Sequence, residues 1–149
     1  MEAAEKLFSE ADQQVIMQAI ATAEKNTSGE IRLFIEDACE GNPLDRAVYV
    51  FHYLKMNKTK LRNGVLFYLA FADRKFAIIG DSGINGKVPK DFWDEIKFRM
   101  TNHFTTENFV AGLSQGITMA GAALAAHFPY AGGEDKNELS DEIVFGIKK

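Results

Sequence analysis

The run Val65-Leu66-Phe67-Tyr68-Leu69-Ala70-Phe71 constrains the fold more than any other stretch of this chain. Successive side chains of a strand point to opposite faces, so a strand apolar throughout is apolar on both. Such a strand belongs at the centre of a sheet, with helices covering it from each side. A turn at Asp73–Arg74 leads straight into Phe76–Ile79. That connection is too short for anything but a hairpin, so strand 75–80 runs antiparallel to its predecessor.

The segments before this hairpin supply a parallel partner. Ser9 is placed to cap a helix over Glu10–Lys25, whose apolar face is Val15, Ile16, Ile20 and Ala23. Asn26–Gly29 stops it, and Ile31–Ile35 follows as a strand. A helix predicted over Leu44–Lys58 has the length of a crossover, which makes strands 31–35 and 65–71 parallel. Two further helices are predicted over Lys90–Asn102, with Pro89 near its start, and Asn108–His127. Gly112, Gly116 and Gly121 suit the second of these to close packing. Together these elements predict a three-layer α/β/α sandwich around a small mixed sheet.

One domain over residues 1–130 accommodates all of this. After Pro129 the sequence AGGEDKNELSDE is polar and acidic and reads as a tail, residues 131–149, with EIVFGIKK available as a short added strand. The net charge of −4 argues against nucleic acid as a partner, because phosphate binding needs a concentrated basic face. Lys55, Lys58, Lys60 and Arg62 do cluster, and read as a solvated helix end. A single cysteine, Cys39, excludes an internal disulfide and fits a reducing compartment. The N-terminus lacks the features of a signal segment, and the longest apolar run, Ile117–Phe128, falls short of a membrane span and reads as a buried helix. The expectation is a soluble cytoplasmic protein that meets membranes only through a partner.

The chemistry-bearing stretch is the strand exit Gly80–Asp91, with Gly80, Gly83 and Gly86 among Asp81, Asn85 and Asp91. Gly80-Asp81-Ser82-Gly83 has the letters of a serine-protease motif, but His52, His103 and His127 all fall in helices, away from strand ends. The spacing matches neither phosphate-loop pattern. Oxygen donors on a loop able to curl suit a hard cation such as calcium. Asp81, Asn85 and Asp91 supply three, and Glu30 reaches in from the adjacent strand start. The match to an EF-hand loop fails at Gly83 and at Phe92. An equal reading makes Asp81 a turn cap and Asp91 a helix cap. A second acidic group, Glu36, Asp37, Glu40 and Asp45, lies at the opposite sheet edge, where α/β sheets often hold ligands, but acids are common in solvated loops.

These residues carry a resemblance. Ser28-Gly29-Glu30-Ile31, Asn63-Gly64-Val65-Leu66, the hairpin Asp73-Arg74-Lys75 and the glycine loop that follows resemble the TPM domain family over roughly residues 10–128. That family is named for a thylakoid lumen protein, a photosystem II repair protein and an acetylcholine-receptor modulator. Two departures stand out: Gly80-Asp81-Ser82-Gly83 is one residue longer than the family's Gly-x-Gly, and Asn85 replaces an acid. The resemblance implies an α/β/α sandwich and divalent-metal binding, with acid phosphatase activity attributed to a plant member. The expectation is therefore a divalent-metal domain, for calcium with magnesium as the alternative, using Asp81, Asn85, Asp91 and Glu30. Its metal-ordered loop would present a surface to a protein partner. The competing expectation is a metal-assisted acid phosphatase with Asp81 as nucleophile or ligand, though no arginine clamp is evident.

Overall fold

The computed structural model describes residues 8–130 and 143–147. Helix α1 spans Glu10–Glu24, capped by Ser9, whose side chain accepts from the Asp12 amide. Strand β1 is Glu30–Glu36, helix α2 Pro43–Tyr53, β2 Gly64–Ala70 and β3 Lys75–Gly80. A one-turn helix α3, Ser82–Asn85, precedes α4 (Phe92–Phe104), α5 (Phe109–His127) and a final two-residue strand β4, Val144–Phe145.

The sheet order is β3-β2-β1-β4. β1 is parallel to β2 in the register Glu30↔Gly64 to Glu36↔Ala70, and β3 is antiparallel to β2 in the register Val65↔Gly80 to Ala70↔Lys75. The crossover and the hairpin are thus as the sequence predicts, and every residue of β2 is buried. The added strand also forms: β4 lies parallel to β1, with Phe34↔Val144 and Ile35↔Phe145. The acidic run AGGEDKNELSDE, read as a tail, lies outside the described residues.

The two faces are covered unequally. Ile31, Leu33, Ile35, Val65, Phe67, Leu69 and Ile78 pack against α1, α4 and α5, through residues such as Ile16, Ile20, Ile96, Met100 and Ile117. Among the described helices, Phe34, Leu66, Tyr68 and Ala77 face only α2, through Ala47, Val50 and Phe51, together with the turn bearing Met56. Each of the larger of these side chains, Val, Leu, Ile, Phe or Met, contributes about 1.5–3 kcal/mol on burial. Helix α5 is, by length and composition, long and apolar enough to cross a membrane, which corrects the shorter run seen in the sequence. Here Leu113, Gly116, Ile117, Ala120 and Leu124 are buried in the core. Gly116 lets it close on Met100 and Phe67.

Helix α2 stops five residues before its predicted end. Lys55 takes a left-handed φ of 59°, and a 3₁₀ turn, Met56–Lys58, follows. Nothing local in Leu54-Lys55-Met56 breaks a helix. The break turns Met56, fully buried, under the start of β2, where its carbonyl lies 3.4 Å from the position a Gly64 Cβ would occupy. Tertiary burial has overridden local propensity.

Candidate functional site

The register brings Glu30, Asn63, Gly64 and Asp81 to one end of the sheet. Glu30 pairs with Gly64, and the Asp81 amide donates to the Gly64 carbonyl at 2.9 Å. Asn63 Nδ2 contacts Ser28 Oγ at 3.4 Å. Strand alternation puts Glu30, Gly64 and Asp81 on the same face, the α2 side, with glycine between the two acids. Both acids are buried, at 1% and 6% exposure.

Asp81 is fully engaged. Its Oδ2 accepts from Arg62 Nε at 2.8 Å and its Oδ1 from Arg62 Nη2 at 2.9 Å, a bidentate fork. Oδ1 also accepts from the Ser82 amide at 2.7 Å and so caps α3. The hydrogen bond to Asp81 holds the Arg62 guanidinium pKa above its ordinary value. Arg62 is nonetheless 48% exposed, on a loop residue with φ of 52°. The pair joins a buried acid to a solvated base.

Asn85 works on the other face. Its Nδ2 donates to the Gly80 carbonyl at 2.7 Å, and its Oδ1 accepts from Trp93 Nε1 at 2.8 Å. This ties the end of β3 to the start of α4. A Gly80 Cβ would point to the same side, 2.5 Å from the Trp93 ring. Asp91 is exposed and occupies the cap position of α4 without accepting a cap bond through its side chain. The four predicted ligands therefore share one end of the sheet without converging. Glu30 and Asp81 flank Gly64 on one face, Asn85 turns to the other, and Asp91 stands at the surface. Among the described residues, no three His, Cys, Asp or Glu side chains gather as a ready-made metal site.

The loop is not a free glycine-rich segment either. The Gly83 amide donates to the Arg62 carbonyl at 2.8 Å, and a Cβ there would stand 2.1 Å from the Leu61 carbonyl oxygen. Gly83 is what lets α3 dock on the Leu61–Arg62 bend. Sequence reading placed Arg62 with its neighbouring lysines. The signal that places Arg62 is the register itself, since the start of β2 and the exit of β3 must meet.

At the opposite end, Glu36 accepts from Arg46 Nε at 2.8 Å and Nη2 at 2.9 Å, and from the hydroxyl of the buried Tyr68. The hydrogen bond to Glu36 raises the Arg46 pKa, and burial, then the bond to Glu36, pushes the Tyr68 phenol upward. Here the Asp73-Arg74-Lys75 hairpin fastens three elements. Asp73 Oδ2 accepts from the Cys39 amide at 2.8 Å, and Lys75 Nζ donates to the carbonyls of Cys39 and Gly41 at 2.8 and 2.9 Å. Arg74 pairs with Glu107 and lies over the Phe109 ring, 5.8 Å from its centroid.

The TPM domain family model matches residues 2–123. The chain belongs to the TPM domain family. The NMR structure of BA42 protein from the psychrophilic bacterium Bizionia argentinensis is 46% identical, with a TM-score of 0.88 over 98% of this chain and 100% of that one. Two other NMR structures share the fold. The N-terminal domain of cg2496 protein from Corynebacterium glutamicum is 14% identical, with a TM-score of 0.62 over 78% of this chain and 73% of that one. The N-terminal domain of a protein from P. gingivalis is 20% identical, with a TM-score of 0.64 over 80% and 78%. No curated protein matches. In this TPM domain the Asp73-Arg74-Lys75 hairpin is structural in its contacts, and the glycine loop holds the buried acid.

Proposed function

We propose that this TPM domain is a divalent-cation-responsive interaction module in which Arg62 is the resident counter-ion of Asp81. One observation carries the reading: a buried carboxylate is neutralised by a guanidinium that is itself half exposed and mounted on a loop. The donor set is all hard oxygen: the carboxylates of Asp81 and Glu30, with Asp91, the Asn85 amide and loop carbonyls in reach of a rearranged loop. This chemistry suits calcium, with magnesium the alternative. Arg62 and a cation compete for one carboxylate. Release of Arg62 frees the Leu61–Arg62 bend from Asp81 and re-forms α3, which alters the surface offered to a protein partner. The buried lone cysteine, Cys39, supports a reducing, cytoplasmic setting.

Thermal unfolding against rising calcium tests the competition, since a ligand bound only to the native state raises stability as it passes its dissociation constant. Arg62→Ala is expected to respond at lower calcium than the parent chain, and Asp81→Asn not to respond. Amide NMR shifts of Gly80–Asp91 that ignore calcium would falsify the reading. The metal-assisted acid phosphatase reading rests on family membership alone, because both oxygens of its nucleophile or ligand, Asp81, are held by Arg62. It requires metal-dependent phosphate-ester hydrolysis that disappears in Asp81→Ala.

A further inference from the structure

Helix α2, the single helix on its side of the sheet among the described residues, turns apolar groups outward as well as inward. Ala47, Val50 and Phe51 are buried, while Leu44, Val48, Tyr49 and Tyr53 are 51%, 44%, 56% and 42% exposed. The outward positions of an amphipathic surface helix are normally polar. Here Asp45 is the only carboxylate among residues 44–53, and the Arg46 guanidinium lies over the Tyr49 ring at 5.2 Å.

The chain leaving this helix is basic. Lys55, Lys58, Lys60, Leu61 and Arg62 are all exposed, within a bend closed at both ends by left-handed residues, Lys55 at φ 59° and Arg62 at φ 52°. Among the described residues, no ion pair engages Lys55, Lys58 or Lys60. The bond from Gly83 to Arg62 sets the α3 turn against this bend, and exposed Lys87 follows that turn. An apolar, tyrosine-bearing ridge thus runs into a cationic end, on a chain whose net charge is −4.

We propose that the outer face of α2 and the 55–62 bend form a docking surface for an anionic lipid membrane. Tyrosine and leucine suit the boundary between headgroups and acyl chains, and lysines beside them suit acidic headgroups. Shape favours the same partner. Among the described residues this face is one exposed helix, which a deformable plane accommodates, whereas peptide recognition generally uses a groove or an open strand edge. This departs from the expectation that the chain meets membranes only through a partner. It does not rest on the cation reading, since none of its contacts needs a metal, although the two readings share Arg62 and its bend.

Vesicle sedimentation in chelator, at about 0.1 M salt, tests it, because surface charges are still felt across about 10 Å at that strength. The chain is expected to sediment with phosphatidylcholine vesicles containing phosphatidylserine, to stay free of pure phosphatidylcholine, and to be released by about 1 M salt. The triple variant K55Q/K58Q/K60Q is expected to bind about a hundredfold more weakly, at roughly fivefold for each lysine removed. Tyr49→Ser with Tyr53→Ser is expected to weaken binding while leaving its salt dependence intact. Unchanged urea midpoints in these surface variants confirm that the fold is kept. The proposal is overturned if the parent chain ignores serine-containing vesicles, if it binds neutral ones equally, or if the triple variant binds as well as the parent. It is likewise overturned if the chain ignores vesicles but dimerises through this face, as light scattering on the tyrosine variant would reveal.

Discussion

The two ends of the sheet are built around the same chemical pair and support it differently. Each has a buried carboxylate gripped bidentately by an arginine: Glu36 with Arg46, and Asp81 with Arg62. At the Glu36 end the acid has a second, buried donor in Tyr68, and Arg46 stands on a helix, stacked on Tyr49 and 34% exposed. At the Asp81 end the arginine stands on a left-handed loop residue at 48% exposure, and the acid's other donor is the first amide of a one-turn helix. A pair held from several elements is a structural joint. A pair with one solvated, loop-borne member is suited to exchange.

Stability measurements can break this contrast. Glu36→Ala leaves Arg46 and Tyr68 without their acceptor, and removing one member of a buried pair is expected to cost about 3–5 kcal/mol. The corresponding change, Asp81→Ala, removes a cap and is expected to cost about 1–2 kcal/mol, with Arg62 relaxing into solvent. Urea unfolding of both variants decides the matter; equal losses would mean that Arg62 is as firmly held as Arg46.

A change of similar size sharpens the loop side. Gly83→Ala drives a methyl group against the Leu61 carbonyl, and overpacking of this kind is expected to cost about 1–3 kcal/mol. Its amide shifts should move at Leu61–Asn63 as well as at Ser82–Gly86. Changes confined to residues 82–86 would show that the two loops are not coupled.

Most of the architecture was legible because it follows from alternation and connection length. An all-apolar strand had to be central, a connection of a few residues had to be a hairpin, and a crossover had to make β1 and β2 parallel. What was not legible depends on contacts distant in sequence. The early end of α2 is set by Met56 seeking the underside of Gly64, and no residue near Lys55 announces it. Placing Asp81, Asn85, Asp91 and Glu30 at one sheet end required only the register. Sorting them onto faces required the position of Trp93, which draws Asn85 to the α4 side. Arg62 was hidden by its lysine neighbours, whose charge made it look like one more solvated residue.

The smallest expected effect concerns pH. The folded chain holds the Tyr68 phenol above its ordinary value, so it stays protonated while an unfolded tyrosine ionises near pH 10. The unfolded chain then binds fewer protons than the folded one, and stability falls as pH rises from about 10. Urea midpoints at pH 9 and 11 should therefore fall further in the parent chain than in Tyr68→Phe. An identical fall in both would remove Tyr68 from the account, and with it part of the case that the Glu36 end is the firmer.

The terminal strand sets an orientation for the whole molecule. Because β4 runs parallel to β1 and pairs with Phe34 and Ile35, the chain after Phe145 departs beside Glu36. Glu30 lies at the far end of the same seven-residue strand, roughly 20 Å away at the rise of an extended chain. A molecule tethered to a support through the residues that follow β4 would hold its Glu36 end toward the anchor. Asp81 and the lysine bend would point into the bulk, where a titrant or a vesicle can reach them.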